Sequence, residues 1–356
     1  MKSLQPNPKS GGLPRREFLQ FLGAGALGLA LSARGVRAET DAAAPAAPPF
    51  DLSPGPKKLR GLFPIGETPF TPDNQLDLES LTAQITFCNR GGVHGFMWPQ
   101  GASNWSALTE AERLTGAEAL LATGKGGSTA IVIGVQGKDL GAVSRYAQHA
   151  AKLGADAIIS MPPAGVADEK VLLDYFQQVG RLTELPLFVQ SLGNMSVDLI
   201  VEIFKTVPTM RQVKDEAGVA LERIGELRRR TDDQLRDFSG HGVLTLINDM
   251  QAGFVGHCPY TGLADVYAQA FDLWHGGRQQ EGFDMFGRIL AFNSLGTVDQ
   301  NRLLIHRGVF KPNVRFRPVP AGTATGAGTA AARGPRLTDQ GARDGLERYL
   351  KPYLKA

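Results

Sequence analysis

Short runs of apolar residues alternate along the chain with segments that have the 3.6-residue period of amphipathic helices. This alternation starts near Leu59 and continues to about Phe292. It is typical of βαβ units and predicts a parallel sheet. The expected strands are residues 61–63, 93–98, 130–134, 157–160, 187–190, 212–214, 235–239 and 253–258. Eight strands at intervals of about 20 to 36 residues favour a closed (β/α)8 barrel over an open sheet.

The helical segments carry their own start and stop signals. Thr109 and Glu112 have the spacing of a capping box, and Ser196 is suited to cap the helix that follows it. A third helix is expected from about residue 140 to the glycine at position 154. After an eighth barrel helix over 263–275, further helical patterns predict an extension beyond the barrel.

The first 38 residues predict an export signal. Arg15 and Arg16 precede an apolar run that ends near Ser32, and 36–38 have the small-residue character of a cleavage site. The run is short and glycine-rich for a membrane span, and the paired arginines resemble a twin-arginine signal. The mature protein is therefore expected in the periplasm or outside the cell, without a membrane span. A basic disordered N-terminus and an uncleaved anchor are the alternatives.

The rest of the chain divides by composition. Residues 39–58 are rich in alanine and proline, have few large apolar side chains, and are expected to be a disordered linker. Residues 59–292 form the predicted barrel. Residues 293–356 form the predicted C-terminal helical extension, which a flexible loop rich in glycine and alanine interrupts at about 319–334.

Composition and charge exclude several classes of function. The 356 residues are 42% hydrophobic and 21% charged, as expected of a globular protein, and their net charge is +3. The predicted leader alone carries +5, which leaves −2 for the remainder, so no nucleic-acid partner is expected. Cys88 and Cys258 are far apart and lack metal-ligand spacing, so both are expected to be buried small apolar residues. No metal and no cofactor is predicted.

In a (β/α)8 barrel the loops that follow the strands carry the chemistry. The candidate segments are therefore residues 101–105, 161–165, 190–193, 214–216, 240–242 and 257–260.

Motifs in these loops agree in order and spacing with those of a known superfamily. Thr68-Pro69-Phe70 follows the first predicted strand, Gly101-Ala102-Ser103 the second and Met161-Pro162-Pro163 the fourth, and Val213-Lys214-Asp215-Glu216-Ala217-Gly218 ends the sixth. The chain thereby resembles the dihydrodipicolinate synthase and N-acetylneuraminate lyase superfamily. The resemblance implies a (β/α)8 barrel, class I aldolase chemistry on a 2-keto acid, and a homo-oligomer, either dimer or tetramer.

The resemblance makes Lys214 the Schiff-base lysine. A lysine that closes an apolar strand directs its stem into the barrel mouth, where partial desolvation favours the neutral, nucleophilic amine. The iminium that it forms with a 2-keto acid stabilises a carbanion on the neighbouring carbon. The alternative is a structural lysine paired with Asp215 or Glu216 at the strand end.

Other positions depart from the superfamily pattern. Gln190 stands where the family's tyrosine relays protons, and a glutamine makes polar contacts but exchanges no proton near neutral pH. In the turn at Gly101, Ala102 and Ser103, only Ser103 keeps a hydroxyl, which together with backbone N–H groups is suited to hold a substrate carboxylate. Residues 190–196 contain no counterpart of the synthase arginine, so dihydrodipicolinate synthase activity itself is not expected.

Three residues are hypotheses for the missing proton transfer. His241 and His257 follow or end the last two predicted strands, and an imidazole has a suitable pKa. Glu216 lies two residues beyond Lys214 and is also a candidate for substrate binding. The alternative for each is an ordinary loop histidine or surface acid.

Two functions remain open at this point. One is a Schiff-base-forming lyase, an aldolase or dehydratase, for a 2-keto acid such as a sugar-derived one. The other is a non-catalytic or weakly catalytic protein that binds keto acids or sugar acids on the same barrel. Gln190, Ala102 and Ala164 together suggest this alternative. The distinguishing feature is a proton-transfer group within about 3 Å of the reacting atoms.

Overall fold

The computed structural model describes residues 57–241, 243–318, 320 and 335–355. The predicted export signal (1–38), most of the predicted linker (39–58) and most of the predicted loop (319–334) lie outside these residues. No helix in the described ranges is long and apolar enough to cross a membrane.

Eight parallel strands form the wall of a barrel. They are β1 (Gly61–Leu62), β2 (Gly95–Trp98), β3 (Ala130–Gly134), β4 (Ala157–Ser160), β5 (Leu187–Ser191), β6 (Met210–Asp215), β7 (Arg236–Ser239) and β8 (Gly256–His257). From β2 onward each strand pairs with the next, and β8 pairs with β1. The segment that follows β1 bridges to β2 at Ile65 and Met97. The predicted (β/α)8 barrel is confirmed.

Eight helices alternate with the strands. They are α1 (Leu78–Gly91), α2 (Glu110–Gly124), α3 (Leu140–Lys152), α4 (Glu169–Gly180), α5 (Val197–Thr206), α6 (Ala220–Arg230), α7 (Leu246–Ala252) and α8 (Ala264–His275). The predicted capping box is present at the start of α2, where the side chains of Thr109 and Glu112 each accept a hydrogen bond from the other residue's backbone N–H. Ser196 caps α5 as predicted.

Helices continue beyond the barrel. They are α9 (Gln279–Asn293), α10 (Gln300–His306) and α11 (Asp339–Gly345), the last followed by a π turn (Leu346–Leu350) and a 3-10 turn (Lys351–Tyr353). The predicted strand 253–258 starts too early, because Gly253 ends α7 in a left-handed conformation with φ 103°. That helix of seven residues is too short for its period to stand out in the sequence.

Side chains alternate between the barrel interior and the surrounding helices. Phe63, Phe188 and Phe238 fill the interior, with ring centroids 5.0–5.9 Å apart. Gln190, Lys214 and Phe238 pair in register across β5, β6 and β7. Because strand side chains alternate with a period of two, Gln190 and Lys214 face the interior and Asp215 faces the helices.

The C-terminal extension packs against loops on the side of the barrel where the strands end. Arg315 bridges to Phe70 through backbone hydrogen bonds. The Arg317 guanidinium donates to both carboxylate oxygens of Glu112 and to the backbone oxygen of Asn74. These contacts fix the loops that follow β1 and β2.

Candidate active site

The side chains of Lys214, Glu216 and Gln190 meet inside the barrel, at the C-terminal ends of β5 and β6. The Nζ atom of Lys214 lies 2.7 Å from Oε1 of Glu216. The side-chain amide of Gln190 donates to the other oxygen, Oε2, at 2.8 Å. Lys214 is 4% exposed and Gln190 1% exposed. The carboxylate therefore contacts both the predicted Schiff-base lysine and the residue at the family's tyrosine position.

Glu216 reaches this position because of its neighbours on β5 and β7. Its backbone N–H donates to the backbone oxygen of Ser191 at 3.1 Å, so the chain continues alongside β5 for one residue beyond β6. Its side chain packs over Gly240, where a Cβ would lie 2.2 Å from Cγ of Glu216. The glycine after β7 is therefore what leaves room for the carboxylate beside Lys214.

The Lys214 and Glu216 contact is compatible with both alternatives stated for the lysine. An ammonium paired with a carboxylate is the resting arrangement of a structural ion pair. The same carboxylate is also placed to accept the proton that an amine must lose before it attacks a carbonyl.

Cys258 is a residue at this site that the sequence analysis treated only as a small apolar residue. It belongs to the apolar interior cluster with Phe63 and Phe238. Burial raises the pKa of its thiol to about 12, while the charge of Lys214 lowers that pKa and the charge of Glu216 raises it. Cys258 is therefore a neutral thiol near Lys214 and Glu216. Cys258 directly follows β8, and no signal in the sequence showed that its side chain faces the interior.

His257 faces the opposite way from Cys258. Its ring is fully buried between β8 and the helices. The Nε2 atom lies 3.2 Å from Oδ2 of Asp249 on α7. The centroid of the ring lies 6.4 Å from that of the Phe271 ring on α8. Within the described residues, neither ring nitrogen of His257 forms a hydrogen bond. The strand alternation thus turns His257 away from Lys214, which corrects the expectation that it reaches the mouth of the barrel.

His241 lies in the loop after β7 and is exposed. Its role in proton transfer stays a prediction.

An outer carboxylate cluster, Asp215, Asp237 and Asp249, lies on the helix side of β6 and β7. Asp215 accepts a hydrogen bond from the hydroxyl of Ser191, and its Oδ2 lies 3.2 Å from Nε of Arg223 on α6. Burial, and after it the charge of Asp215, raises the pKa of Asp237 well above its ordinary value. Lys214 lies on the inner face of β6. The carboxylate cluster lies on the outer side of the same strand.

The turn after β2 lies at the mouth of the barrel. Ala102 packs against the interior cluster, and Gly101 is buried. The hydroxyl of Ser103 accepts a hydrogen bond from the backbone N–H of Gln100 at 2.9 Å, and the backbone oxygen of Ser103 accepts one from Thr68. The hydroxyl proton of Ser103 is left for another acceptor, and the role of this turn in carboxylate binding stays a prediction.

The part of the chain that the structure describes contains no candidate metal-binding site. In those residues no three or more histidine, cysteine, aspartate or glutamate side chains are grouped so that they could hold a metal ion.

The sequence profile of the Dihydrodipicolinate synthetase family matches residues 58–306. The chain belongs to this family. The 4-hydroxy-tetrahydrodipicolinate synthase of Methanosarcina mazei is 28% identical over 195 residues, which are 53% of this chain and 65% of that protein. The L-2-keto-3-deoxyarabonate dehydratase of Azospirillum brasilense is 23% identical over 233 residues, 63% of this chain and 75% of that one. The match thus spans a little under two thirds of the length of the synthase.

Solved structures of the family share the fold. The dihydrodipicolinate synthase from Rhodopseudomonas palustris superposes with a TM-score of 0.67 at 21% identity, covering 82% of this chain and 97% of that one. An N-acetylneuraminate lyase from Mycoplasma synoviae gives 0.67 at 16% identity, covering 84% and 100%. At these identities the likeness shows the barrel alone. Relatives of the chain include one named L-2-keto-3-deoxyarabonate dehydratase and one named probable 2-dehydro-3-deoxy-D-pentonate aldolase.

Proposed function

We propose that this chain is a Schiff-base-forming lyase, an aldolase or dehydratase, that acts on a 2-keto acid. The observation that carries the proposal is the carboxylate of Glu216, 2.7 Å from Nζ of Lys214. A lyase requires a group that exchanges protons within about 3 Å of the reacting atoms, and a binding pocket does not. Glu216 supplies that group where the family's tyrosine is replaced by Gln190.

The first step is formation of the imine. Glu216 accepts a proton from the ammonium of Lys214, and the neutral amine attacks the C2 carbonyl of the keto acid. The carbinolamine then loses its hydroxyl as water, with the proton returned by Glu216, and a positively charged iminium forms. The hydrogen bond from Gln190 orients the carboxylate during these transfers.

The second step uses the iminium as an electron acceptor. In aldol cleavage a base removes the proton of the C4 hydroxyl, the C3–C4 bond breaks, and its electron pair forms an enamine that is then protonated at C3. In dehydration the base removes a proton from C3, and a hydroxyl leaves C4 as water after protonation. In both routes Glu216 is the group beside the iminium that accepts and returns the proton.

The identity of the keto acid is open within this proposal. The absence of an arginine from residues 190–196 argues against the synthase reaction. Relatives named L-2-keto-3-deoxyarabonate dehydratase and probable 2-dehydro-3-deoxy-D-pentonate aldolase support testing sugar-derived acids.

We also propose that residues 1–38 direct export through a twin-arginine route and that the mature chain is a homo-oligomer. The basis is the paired arginines before an apolar run, and the resemblance to oligomeric relatives. N-terminal sequencing of the secreted protein and its sedimentation mass test the two statements separately.

Borohydride trapping tests the proposed lyase. The purified protein is incubated with pyruvate and with a panel of sugar-derived 2-keto acids, reduced, digested and mapped by mass spectrometry. We expect a reduced adduct on Lys214 that is absent from Lys214→Ala. A folded protein that binds keto acids without any adduct would instead establish the binding protein.

A further inference from the structure

A cavity of about 690 Å³ opens beside the barrel mouth, among the loops that follow β3, β4 and β5. Volumes of this size are typical of sites for small organic ligands. The chemistry described above uses none of its lining, since Lys214 and Glu216 lie on the next strand of the barrel.

The cavity is lined by loops that follow strands neighbouring the site of imine formation. Residues 192–195 line it and directly follow β5, whose Gln190 holds Glu216. Met161 also lines it, at the end of the neighbouring strand β4. Adjacent strands are about 4.8 Å apart, so β4 ends about 10 Å from the strand of Lys214. A keto acid bound as an imine would have to span this separation with a substituent beyond its fourth carbon.

The floor of the cavity is apolar. Val143 on α3, Leu172 on α4, Met161 and Met195 are buried and line it. Trp105, which follows the turn after β2, adds an aromatic wall. Apolar and aromatic linings favour ligand groups that leave water on binding.

The polar groups of the inner wall already have partners within the protein. The Tyr175 hydroxyl is hydrogen-bonded to Ser160 at 2.8 Å. The Glu169 carboxylate accepts from the backbone N–H and the hydroxyl of Ser196. Gln136 donates to the backbone oxygen of Pro99. A polyhydroxylated chain would therefore exchange its hydrogen bonds with water for an apolar surface, which is unfavourable.

The entrance is left open by small side chains. Ala164 and Gly165 are exposed. Gly165 has a backbone φ of 76°, a left-handed conformation in which a residue with a side chain would be strained. Lys138, Asp139 and Asn194 are exposed at the rim. A ligand that entered the cavity would thus pass a polar rim and contact an apolar floor.

We propose that this cavity binds an apolar, ring-sized group carried at the far end of the 2-keto acid substrate. The inference rests on the proposed imine chemistry at Lys214 and adds the class of substrate to it. Polyhydroxylated, sugar-derived acids are then the poorer substrates.

The test compares two acids that differ only in the apolar group, 2-oxobutanoate and 4-phenyl-2-oxobutanoate. The concentration that half-saturates borohydride trapping at Lys214 is measured for each. We expect the phenyl acid to saturate at a concentration about tenfold to a hundredfold lower. Equal concentrations for the two acids, or tighter saturation by a polyhydroxylated 2-keto acid of the same length, would overturn the proposal.

Variants locate the effect in the cavity. Ala164→Trp and Ala167→Trp place a large side chain at two exposed lining positions, and each should bring the ratio of the two concentrations towards one. Ala122→Trp, at an exposed position on α2 outside the lining, is the matched control and should keep the ratio. A ratio that both lining variants leave unchanged would contradict the proposal. The proposal would also be contradicted if the lining variants changed the sedimentation mass and the protein showed no preference for the phenyl acid. That result would assign the cavity to a contact with a second copy of the chain.

A failure of the proposed function would be visible separately. If neither acid is trapped by folded protein, the imine chemistry fails. Calorimetric binding of 4-phenyl-2-oxobutanoate, lost in Ala164→Trp and kept in Ala122→Trp, would then still support the cavity site, and no binding would end that inference too.

Discussion

The inner and outer faces of β5 to β8 both carry buried ionisable groups, yet they differ in what those groups can reach. On the inner face, the side chains of Lys214 and Glu216 pair at the mouth of the barrel. On the outer face, Asp215 and Asp237 are sealed beneath the helices. Consecutive residues of one strand thus belong to two environments. Burial alone does not identify a catalytic group, and the direction of the side chain decides which groups meet a substrate.

The comparison predicts that inner-face substitutions change chemistry with little effect on stability, whereas outer-face substitutions do the reverse. Four substitutions test this division, in order of expected effect.

Lys214→Arg should have the largest effect. Arginine keeps the positive charge beside Glu216, but its guanidinium stays protonated and does not form an imine. We expect borohydride trapping with pyruvate to fall by at least about a thousandfold, with a melting temperature near that of the wild type. Lys205→Arg, at an exposed position on α5, is the control and should trap normally. An undiminished adduct in Lys214→Arg would place the reactive amine elsewhere.

Glu216→Gln removes the proton-exchanging group and keeps a side chain of the same shape. We expect the rate at which the protein exchanges the methyl protons of pyruvate in D2O, measured by proton NMR, to fall by about a hundredfold to a thousandfold. The adduct on Lys214 should still form over longer incubation. Exchange at the wild-type rate would show that another group, such as His241, transfers the proton.

His257→Gln tests the outer face. Removal of the imidazole takes away the contact at 3.2 Å with the buried carboxylate of Asp249, which keeps its hydrogen bond from the Thr245 hydroxyl. We expect the free energy of unfolding to fall by about 1–3 kcal/mol in urea titrations. Pyruvate proton exchange should stay within about threefold of the wild type, because the ring faces away from Lys214. A hundredfold loss of exchange in a stable variant would return His257 to the chemistry.

Asp237→Asn should have the smallest effect, and its sign depends on pH. Burial raises the pKa of Asp237, so the carboxyl is protonated in the folded protein at a pH where the unfolded chain ionises it. The native aspartate therefore costs stability increasingly as pH rises above 3.8, its unfolded pKa, and costs none below that value.

We expect Asp237→Asn to raise the free energy of unfolding by about 1–2 kcal/mol at pH 8 and to leave it nearly unchanged at pH 3.5. Urea titrations at the two pH values measure the difference. Asp232→Asn, at an exposed turn position, is the control. A variant that is less stable at pH 8 would show that Asp237 is ionised and paired in the folded state.

The sequence predicted the barrel well because short apolar runs recur between helical segments along the chain. It missed α7 and α10, which have seven residues each, too few for a helical period to show. It also extended β8 back to Gly253, since an apolar run does not reveal that its first glycine caps a helix.

The candidate site was predicted less completely. Lys214 and Glu216 were both candidates, but nothing in the sequence shows that Gly240 leaves the space that brings their side chains to 2.7 Å. His257 was placed on the catalytic side because it ends a strand, and the inward or outward phase of that strand was not fixed by a run of only two residues. To predict whether a side chain at a strand end faces inward or outward, the register with the neighbouring strands has to be known.

Exchange of the methyl protons of pyruvate in D2O by the wild-type protein is the most direct test of the central claim. It requires an imine at Lys214 and a neighbouring proton acceptor, and it does not require the natural substrate to be known. We predict exchange that depends on protein concentration, with a reduced adduct mapped to Lys214 in the same sample. Folded protein that binds pyruvate but neither exchanges its protons nor forms the adduct would contradict the account.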